Sequence, residues 1–357
     1  MQINELTEQL QIEHPILQAP MAGGITTPEL VSEVSLAGGL GMLAAGYMSP
    51  EKLEEQIKTV KNLTTKPFGV NLFVPESIQV TEEEIQIAQS LLAPIEQQFN
   101  VRETDVALPD YDQNVETFLE LVQLIKKEQI PVCSFTFGIP SKEVISEMKQ
   151  AGIFLVGTAT TVREAIENEK AGMDAVVAQG SEAGGHRGGY IQSEQGNLIG
   201  LMSLIPQMVD HVTIPVIGAG GIMDGRGVMA SICLGAAAAQ LGTAFLTSKE
   251  SGAKEVHKEA IRNASEDDTT LTRAFSGKWA RGINNTFIEE MKKHEPTLPT
   301  FPVQNALTQR IRKAAGAQEN KEFMSLWSGQ SVRLAKRETA GELVKRIVKQ
   351  VEEISRK

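Results

Sequence analysis

Basic residues are in short supply, with 34 lysines and arginines against 45 acidic residues and a formal net charge of −11 over 357 residues. A chain of that sign is not drawn as a whole to nucleic acid or anionic lipid, so any anionic ligand must be held by local donors. Cysteine is scarcer still. Cys133 and Cys233 lie in apolar stretches with no metal-ligand spacing around them, and they read as two buried free thiols. The first residues, MQINELTEQLQIEH, hold no basic segment followed by an apolar one, so no secretory signal is read there and the cytoplasm is the expected compartment. Long apolar runs are also missing, with one exception at 227–248, which is uncharged and long enough for a bilayer core. Gly235, Gln240, Gly242 and Thr243 divide that run into a helix and a strand, as in a buried α-to-β step.

What the chain does have is 41% apolar residues, enough for a substantial core in one large domain or two medium ones. Eight short β-type runs recur between helix-period segments, at 15–22, 39–46, 67–74, 132–138, 154–159, 175–180, 215–221 and 238–245. They are apolar almost throughout, the pattern of strands covered on both faces in a parallel sheet. Thr27-Pro28 and Ser49-Pro50 place a capping residue before a proline at the first helical position, and Thr161 with Glu164 has the spacing of a capping box. Gly38, Gly152, Gly172 and Gly235 follow helix patterns just before strands begin, as left-handed caps do. Eight β-then-α units predict an α/β fold, a closed (β/α)8 TIM barrel over 1–248. Two segments fall outside the repeat. Residues 75–114 are an acidic insertion with a helix-like part at 82–98, and 249–301 is mostly helical and charged. A small, mostly helical accessory lobe near the barrel mouth is therefore expected over 249–325, with 326–357 closing onto the barrel through a helix at 343–354.

In such a barrel, function sits on the loops after the strands. The first strand ends in APMAGG (19–24), small residues that admit a flat ligand or simply make a tight turn. Asn71 and Gln179 are amides in apolar runs, and once buried they must find partners in a ligand or in a neighbouring strand. The seventh and eighth strands end in GAGG (218–221) and QLGT (240–243), where these barrels bind phosphate. Exposed amides there, with a helix amino end near Asp224, can hold a dianion without any lysine. The most informative loop is GSEAGGHRGG (180–189), where four glycines within six positions disfavour helix and strand while His186 and Arg187 are presented at the mouth. A lone histidine is more often a surface or satisfied core group, but this one's place after the sixth strand reverses the odds. Imidazole exchanges a proton near neutral pH or, when charged, attracts an anion. Arg187 reads as a solvated loop cation or a partner of Glu182. His14, His211, His257 and His294 lie away from strand carboxyl ends and read as structural. No cysteine follows the sixth strand, so no covalent nucleophile is visible.

Seven segments carry a resemblance over essentially the whole chain: QAPMAGGITTPELV from Gln18, AGGLGMLAAGY from Ala37, PFGVNLFVP from Pro67, FTFGIP from Phe135, AQGSEAGGHRGG from Ala178, IPVIGAGGIMDGRG from Ile214 and QLGTAFLTSKES from Gln240. The sequence resembles the nitronate monooxygenases, once called 2-nitropropane dioxygenases, in the class with the AGGHRG loop. The resemblance implies non-covalent FMN and no metal. It carries flavin contacts over to Met21 and Ala22 along the isoalloxazine edge, to Asn71, Gln179 and Gly184, and around the phosphate to Gly220, Gly221, Gln240, Leu241, Gly242 and Thr243. His186 matches the catalytic histidine. AFSGKWARGINN from Ala274 and LWSGQS from Leu326 also look like this family, which implies that the accessory region contributes to the flavin pocket without assigning roles to Arg187, Ser276 or Ser328.

The implied reaction takes an alkyl nitronate, or a nitroalkane, and O2 to a carbonyl compound and nitrite by one-electron transfer to FMN. In it His186 serves mainly as a charged imidazole holding the nitronate and secondarily as a base for nitroalkanes. Neither a nucleic-acid nor a membrane partner is expected, and monomer and dimer both stay open. One rival is an FMN-dependent enoyl-acyl-carrier-protein reductase using NADH, which shares the fold, the glycine turns and an EAGGH loop. Arg187 and the WSGQS segment favour the nitronate enzyme over it. A non-catalytic flavin-binding module is the other rival, and it would need no histidine. The physiological nitronate, and whether the task is detoxification, are not read from these residues.

Overall fold

The apolar runs form strands because a parallel strand covered on both faces has no polar side to show, and their burial is nearly continuous. The computed structural model describes residues 4–101, 106–191 and 197–356. Parts of two segments read above, the amino-terminal 1–3 and 102–105 of the insertion, lie outside the described residues. The strands are β1 (Ile16–Gln18), β2 (Gly41–Ala44), β3 (Phe68–Phe73), β4 (Val132–Thr136), β5 (Phe154–Ala159), β6 (Ala175–Gln179), β7 (Gly185–His186), β8 (Val216–Ala219), β9 (Ala238–Leu241), β10 (Thr269–Thr272) and β11 (Ala280–Ile283). Eight of them pair in parallel in the order β1-β9-β8-β6-β5-β4-β3-β2. Leu40, just ahead of β2, donates to the Ile16 carbonyl and accepts from the Gln18 amide, each at 2.9 Å, and this bridge closes the sheet into a barrel.

The helix signals act as expected. Thr27 and Ser49 cap helices that begin with proline, and Thr161 and Glu164 form a reciprocal capping box. Gly38, Gly152, Gly172 and Gly235 all have positive φ. At the amino end of the barrel, the helix Glu5–Leu10 places Leu6 and Leu10 against the inward side chains of Leu17, Met42, Val177 and Ile217. Only a single turn, Thr243–Leu246, follows β9. The chain then leaves for the lobe and returns as Ala340–Ser355, which packs between the helices Pro28–Leu36 and Gly225–Cys233 in the place of an eighth barrel helix.

Several expectations need correction. The first, seventh and eighth runs overshoot the strands at their carboxyl ends, because 19–22, 220–221 and 242–245 leave the ladder. Cys133 is buried, but Cys233 is exposed, being the last residue of a helix whose inward face is carried by Val228 and Ser231. The lobe is mostly helical, with Glu255–Asn263, Thr286–Met291 and Val303–Ala317, but it also holds the hairpin β10–β11. Strands of four residues are too short for periodicity to reveal. The insertion helix Glu82–Gln98 is not separate from this lobe: Ala88, Leu92 and Ile95 share one apolar cluster with Ile261, Phe287, Leu307 and Ile311. No helix among the described residues is long and apolar enough to cross a membrane, and the uncharged run at 227–248 is spent as helix, strand and turn.

Leu6 is 1% exposed at the end of the barrel away from the loops that follow the strands. Leu6→Ala should cost about 2–5 kcal/mol in chemical denaturation while kcat per folded molecule stays unchanged. A large loss of kcat with stability intact would show that this end of the barrel is coupled to the site.

Candidate active site

The residues that leave the ladder at the strand carboxyl ends converge on one cavity of about 300 Å3. Of the residues expected there, Met21, Ala22, Asn71, Gln179, Gly184, His186, Gly220, Gly221, Gln240, Gly242 and Thr243 line it. Leu241 does not. Its side chain is 1% exposed in the core outside the barrel strands, and only its carbonyl, which accepts from the Ala19 amide at 2.8 Å, touches the loop beside the cavity.

The two amides resolve differently. Asn71 donates from Nδ2 to the Ser134 Oγ at 2.9 Å and the Thr136 Oγ1 at 3.0 Å on β4, while its Oδ1 has no protein partner among the described residues. Gln179 is spent on the loop after its own strand. Its Nε2 donates to the His186 carbonyl at 3.1 Å and its Oε1 accepts from the Gly188 amide at 2.8 Å, so it positions the histidine.

The loop with four glycines does form a strand. Gly185 and His186 pair antiparallel with Arg281 and Ala280, making β7 the third strand of the lobe hairpin. Partners more than 90 positions along the chain supply the hydrogen bonds that glycine cannot supply locally. Arg187, 4% exposed, donates to the carbonyls of Gly180 at 2.6 Å, Gln179 at 2.9 Å and Asn197 at 3.2 Å. It is a buried tie across the base of the loop instead of a solvated cation. Gly184 must be glycine because a Cβ there would come within 2.5 Å of the Gly329 amide and the Ser328 carbonyl carbon. The WSGQS segment thus lies directly on the loop, with the Gly329 amide donating to Thr243 Oγ1 at 2.9 Å and the Gln330 amide to the Glu182 carbonyl at 3.0 Å.

His186 is enclosed by aromatic rings, with Trp327 at 5.5 Å, Phe137 at 5.8 Å and Phe301 at 5.9 Å between centroids. Its Nε2 lies 2.8 Å from Ser276 Oγ, which also lies 3.1 Å from the Lys278 carbonyl. Nδ1 has no hydrogen-bond partner among the described residues. Burial, reinforced by the charges of Lys278 and Arg312, pushes the imidazole pKa down to about 3. Burial thus favours the neutral ring near pH 7 and works against the charged imidazole expected from the sequence. Lys278 is itself engaged, paired with Glu76 at 2.9 Å and lying 4.6 Å above the Phe137 ring. Phe137 holds φ of +73°, a left-handed backbone costly for a bulky residue, and its amide donates to the Gly188 carbonyl at 3.0 Å.

Gly220 and Gly221 have φ of +133° and +67°, and a Cβ on Gly221 would press on Glu182 and Ser331. The helix that follows cannot receive a dianion at its amino end, because Asp224 caps it with its own carboxylate, which accepts from the Arg226 amide at 3.0 Å. The loop amides remain. Sequence reading missed the wall supplied from elsewhere: Phe73, Phe137, Asn305, Arg312, Ser325, Trp327 and Ser331. PFGVNLFVP holds Phe73, FTFGIP holds Phe137 and WSGQS holds Trp327 and Ser331, but no segment singled out Asn305, Arg312 or Ser325. Of the remaining histidines, His257 is 5% exposed and its Nε2 lies 3.1 Å from the Trp327 carbonyl, so it is structural, as expected, in support of a wall residue.

A closed parallel barrel whose strand ends converge on a glycine-walled cavity with one sequestered histidine is the architecture of a (β/α)8 enzyme. A model of the family described as nitronate monooxygenase matches residues 4–350. The chain is 53% identical over 350 residues to a protein of Staphylococcus haemolyticus named "Probable nitronate monooxygenase", covering 98% of this chain and 97% of that one. Among solved structures it is similar to nitroalkane oxidase from Streptomyces ansochromogenes, at 41% identity and a TM-score of 0.89 with 98% of each chain covered. It is also similar to FabK from Thermotoga maritima, at 31% identity and a TM-score of 0.78, covering 100% of this chain and 98% of that one. The chain belongs to the nitronate monooxygenase family, whose members are flavoproteins, and it is an oxidoreductase.

Two histidine titrations check this geometry. In 15N-histidine NMR the His186 ring should stay neutral from about pH 8 down to about pH 5, and a transition near pH 6.5 would contradict its sequestration. Burial also pushes His257 down to about 4. Both folded-state values lie below the unfolded one, so the unfolded chain takes up protons that the fold refuses. Their stabilisation is complete above about pH 6.5 and is lost as pH falls toward about 4, for His257 at about 1.4 kcal/mol per pH unit. The stability of His257→Gln should decline less steeply over that window than wild type. Equal slopes would mean that His257 is not held neutral.

Proposed function

We propose that this enzyme oxidises alkyl nitronates with O2 to carbonyl compounds and nitrite, using FMN bound across the strand carboxyl ends. The carrying observation is His186, an uncharged imidazole fixed at one nitrogen by Ser276 and facing a cavity walled by glycine backbone. The residues present fit a flavin. Small residues at 19–24 leave room for a flat ring system, with no atom near a Cβ built on Gly23 or Gly24. Asn71 Oδ1 is an unused acceptor at the cavity wall, and loop amides, not side-chain cations, line the glycine turns. On this reading Met21, Ala22, Asn71 and Gly184 border the ring system. Gly220, Gly221, Gln240, Gly242 and Thr243 hold the phosphate, with Leu241 contributing backbone only. When bound, FMN supplies the one-electron redox chemistry.

The chain's own part is to bind, orient and keep dry. With the Ser276 hydroxyl donating to the Lys278 carbonyl at 3.1 Å, the neutral His186 ring donates from Nε2–H to Ser276 Oγ and keeps Nδ1 unprotonated, so the ring is fixed in orientation and the oxygens of a nitronate are met by other donors. The aromatic wall excludes water, which strengthens the hydrogen bonds made inside the cavity. A histidine held this far below neutral pH is a poor base, since proton abstraction works best with a pKa near the operating pH. Preformed nitronates are therefore favoured over neutral nitroalkanes. The same reading assigns 1–248 to the cofactor barrel, 249–325 to the lobe that bears the histidine's partners, and 326–357 to a segment closing the pocket through Trp327, Gly329 and Ser331.

Anaerobic mixing of the flavin-loaded protein tests this directly. A preformed alkyl nitronate should change the flavin absorbance to that of the one-electron-reduced form within seconds, a neutral nitroalkane only as fast as it ionises in solution, and NADH not at all; denaturation should release FMN. Reduction by NADH with no response to nitronate would instead support an enoyl-reductase activity, and released FAD would remove the phosphate placement.

A further inference from the structure

A neutral His186 leaves the charge of a bound nitronate without a counter-charge unless another residue supplies one. Among the described residues that line the cavity, one side chain is permanently cationic: Arg312, on the helix Val303–Ala317. Its guanidinium meets only neutral acceptors of its own helix. Nε donates to Thr308 Oγ1 at 3.2 Å, and Nη2 donates to the Asn305 carbonyl at 2.7 Å and to Asn305 Oδ1 at 2.8 Å. Nη1 has no acceptor, and no carboxylate lies within ion-pair distance among the described residues. The contrast within one helix is instructive. Arg310, which does not line the cavity, pairs with Glu96 at 3.0 Å, and Lys278, near the same site, pairs with Glu76 at 2.9 Å. The buried Arg281 and Lys258 also lack an ion pair and donate to carbonyls, but neither lines the cavity; of the described residues that do, the half-buried Arg312 is the cation without an acid. Burial lowers its pKa, yet a guanidinium stays charged at any pH the protein meets. A half-buried charge without a counter-charge is costly, and the cost is offset when a ligand brings the opposite charge.

We propose that Arg312 is the anion-binding residue of the substrate site. Its free Nη1 edge, held in orientation by Asn305, takes the oxygens of a planar monoanion of the nitronate type, whereas a neutral substrate gains nothing there. With Nε and Nη2 spent on Thr308 and Asn305, the two Nη1 hydrogens are the ones left for the anion, and the held guanidinium aims them more firmly than the flexible ammonium of lysine would. This deepens the nitronate reading and rests on it for the identity of the anion, though not for its charge.

The test uses flavin-loaded wild type, Arg312→Met and Arg312→Lys, with nitrate as an inert planar probe and ethyl nitronate as substrate. Nitrate binding is read from the perturbed flavin spectrum, nitronate KM from steady-state kinetics, flavin content after denaturation and folding by thermal melt. Arg312→Met should weaken nitrate binding and raise the nitronate KM by about 10- to 100-fold with flavin content unchanged. Arg312→Lys should fall between. Wild type that binds nitrate through Arg312 yet oxidises no nitronate would support the anion site and overturn the activity. Unchanged nitrate affinity and KM in a folded Arg312→Met would overturn the proposal while leaving the activity standing. If Arg312→Met does not fold, an unchanged KM in Arg312→Lys overturns it equally. Loss of flavin from both variants would overturn it by placing Arg312 on the cofactor.

Discussion

The site depends on a short stretch of backbone pairing: Gly185 and His186 against Arg281 and Ala280. A loop with four glycines has no structure of its own to fall into. Pairing with β11 gives it one, and carries the histidine among three rings that replace water: Phe137 after β4, Phe301 of the lobe and Trp327 of the closing segment. Gln179 and Arg187 secure the same loop from the barrel side, one through the His186 carbonyl and the other through three carbonyls at its base. The neutrality of His186, its contact with Ser276 and the position of WSGQS on Gly184 all follow from the lobe being sewn to the barrel at this point.

That arrangement reshapes the electrostatics of an acidic protein. A net charge of −11 works against anionic ligands at long range, and the imidazole at the centre of the cavity carries no charge to offset it. On the proposed reading, recognition of an anion falls to fixed, local groups: loop amides at the glycine turns and a guanidinium that the fold leaves without an acid. Such groups need little reorganisation when charge arrives. The left-handed backbone at Phe137, in the wall beside His186, fits the same pattern of local strain held in place by the surrounding fold.

The barrel was legible in the sequence because its signals are local. Capping threonines and serines, prolines at helix starts and glycines at helix ends each act within a few residues, and the strands lie where the apolar runs do. The carboxyl ends of the strands were misjudged because residues such as Ala19, Pro20 and Gly242 are as apolar as the ladder they leave. The site was half legible. Glycine turns, Asn71, Gln179 and His186 announce themselves after strands. The strand pairing of His186 and the neutral imidazole come from contacts across 90 or more positions, and the unpaired Arg312 comes from the lobe. Arg187 is buried against carbonyls only 7 to 10 positions away, by a loop path that spacing does not show. Gln179 shows the limit most plainly, since a buried amide must find a partner but its sequence does not say which one.

The central claim is that flavin and substrate meet against a neutral His186 between the glycine turns and the lobe. A crystal structure of the yellow protein with nitrate bound measures this most directly. The account predicts the flavin phosphate on the amides of Gly221 and the Gly242–Thr243 turn, the ring system beside Met21 and Ala22, and the anion between that ring and His186. A phosphate bound elsewhere, or a flavin ring remote from His186, would contradict it.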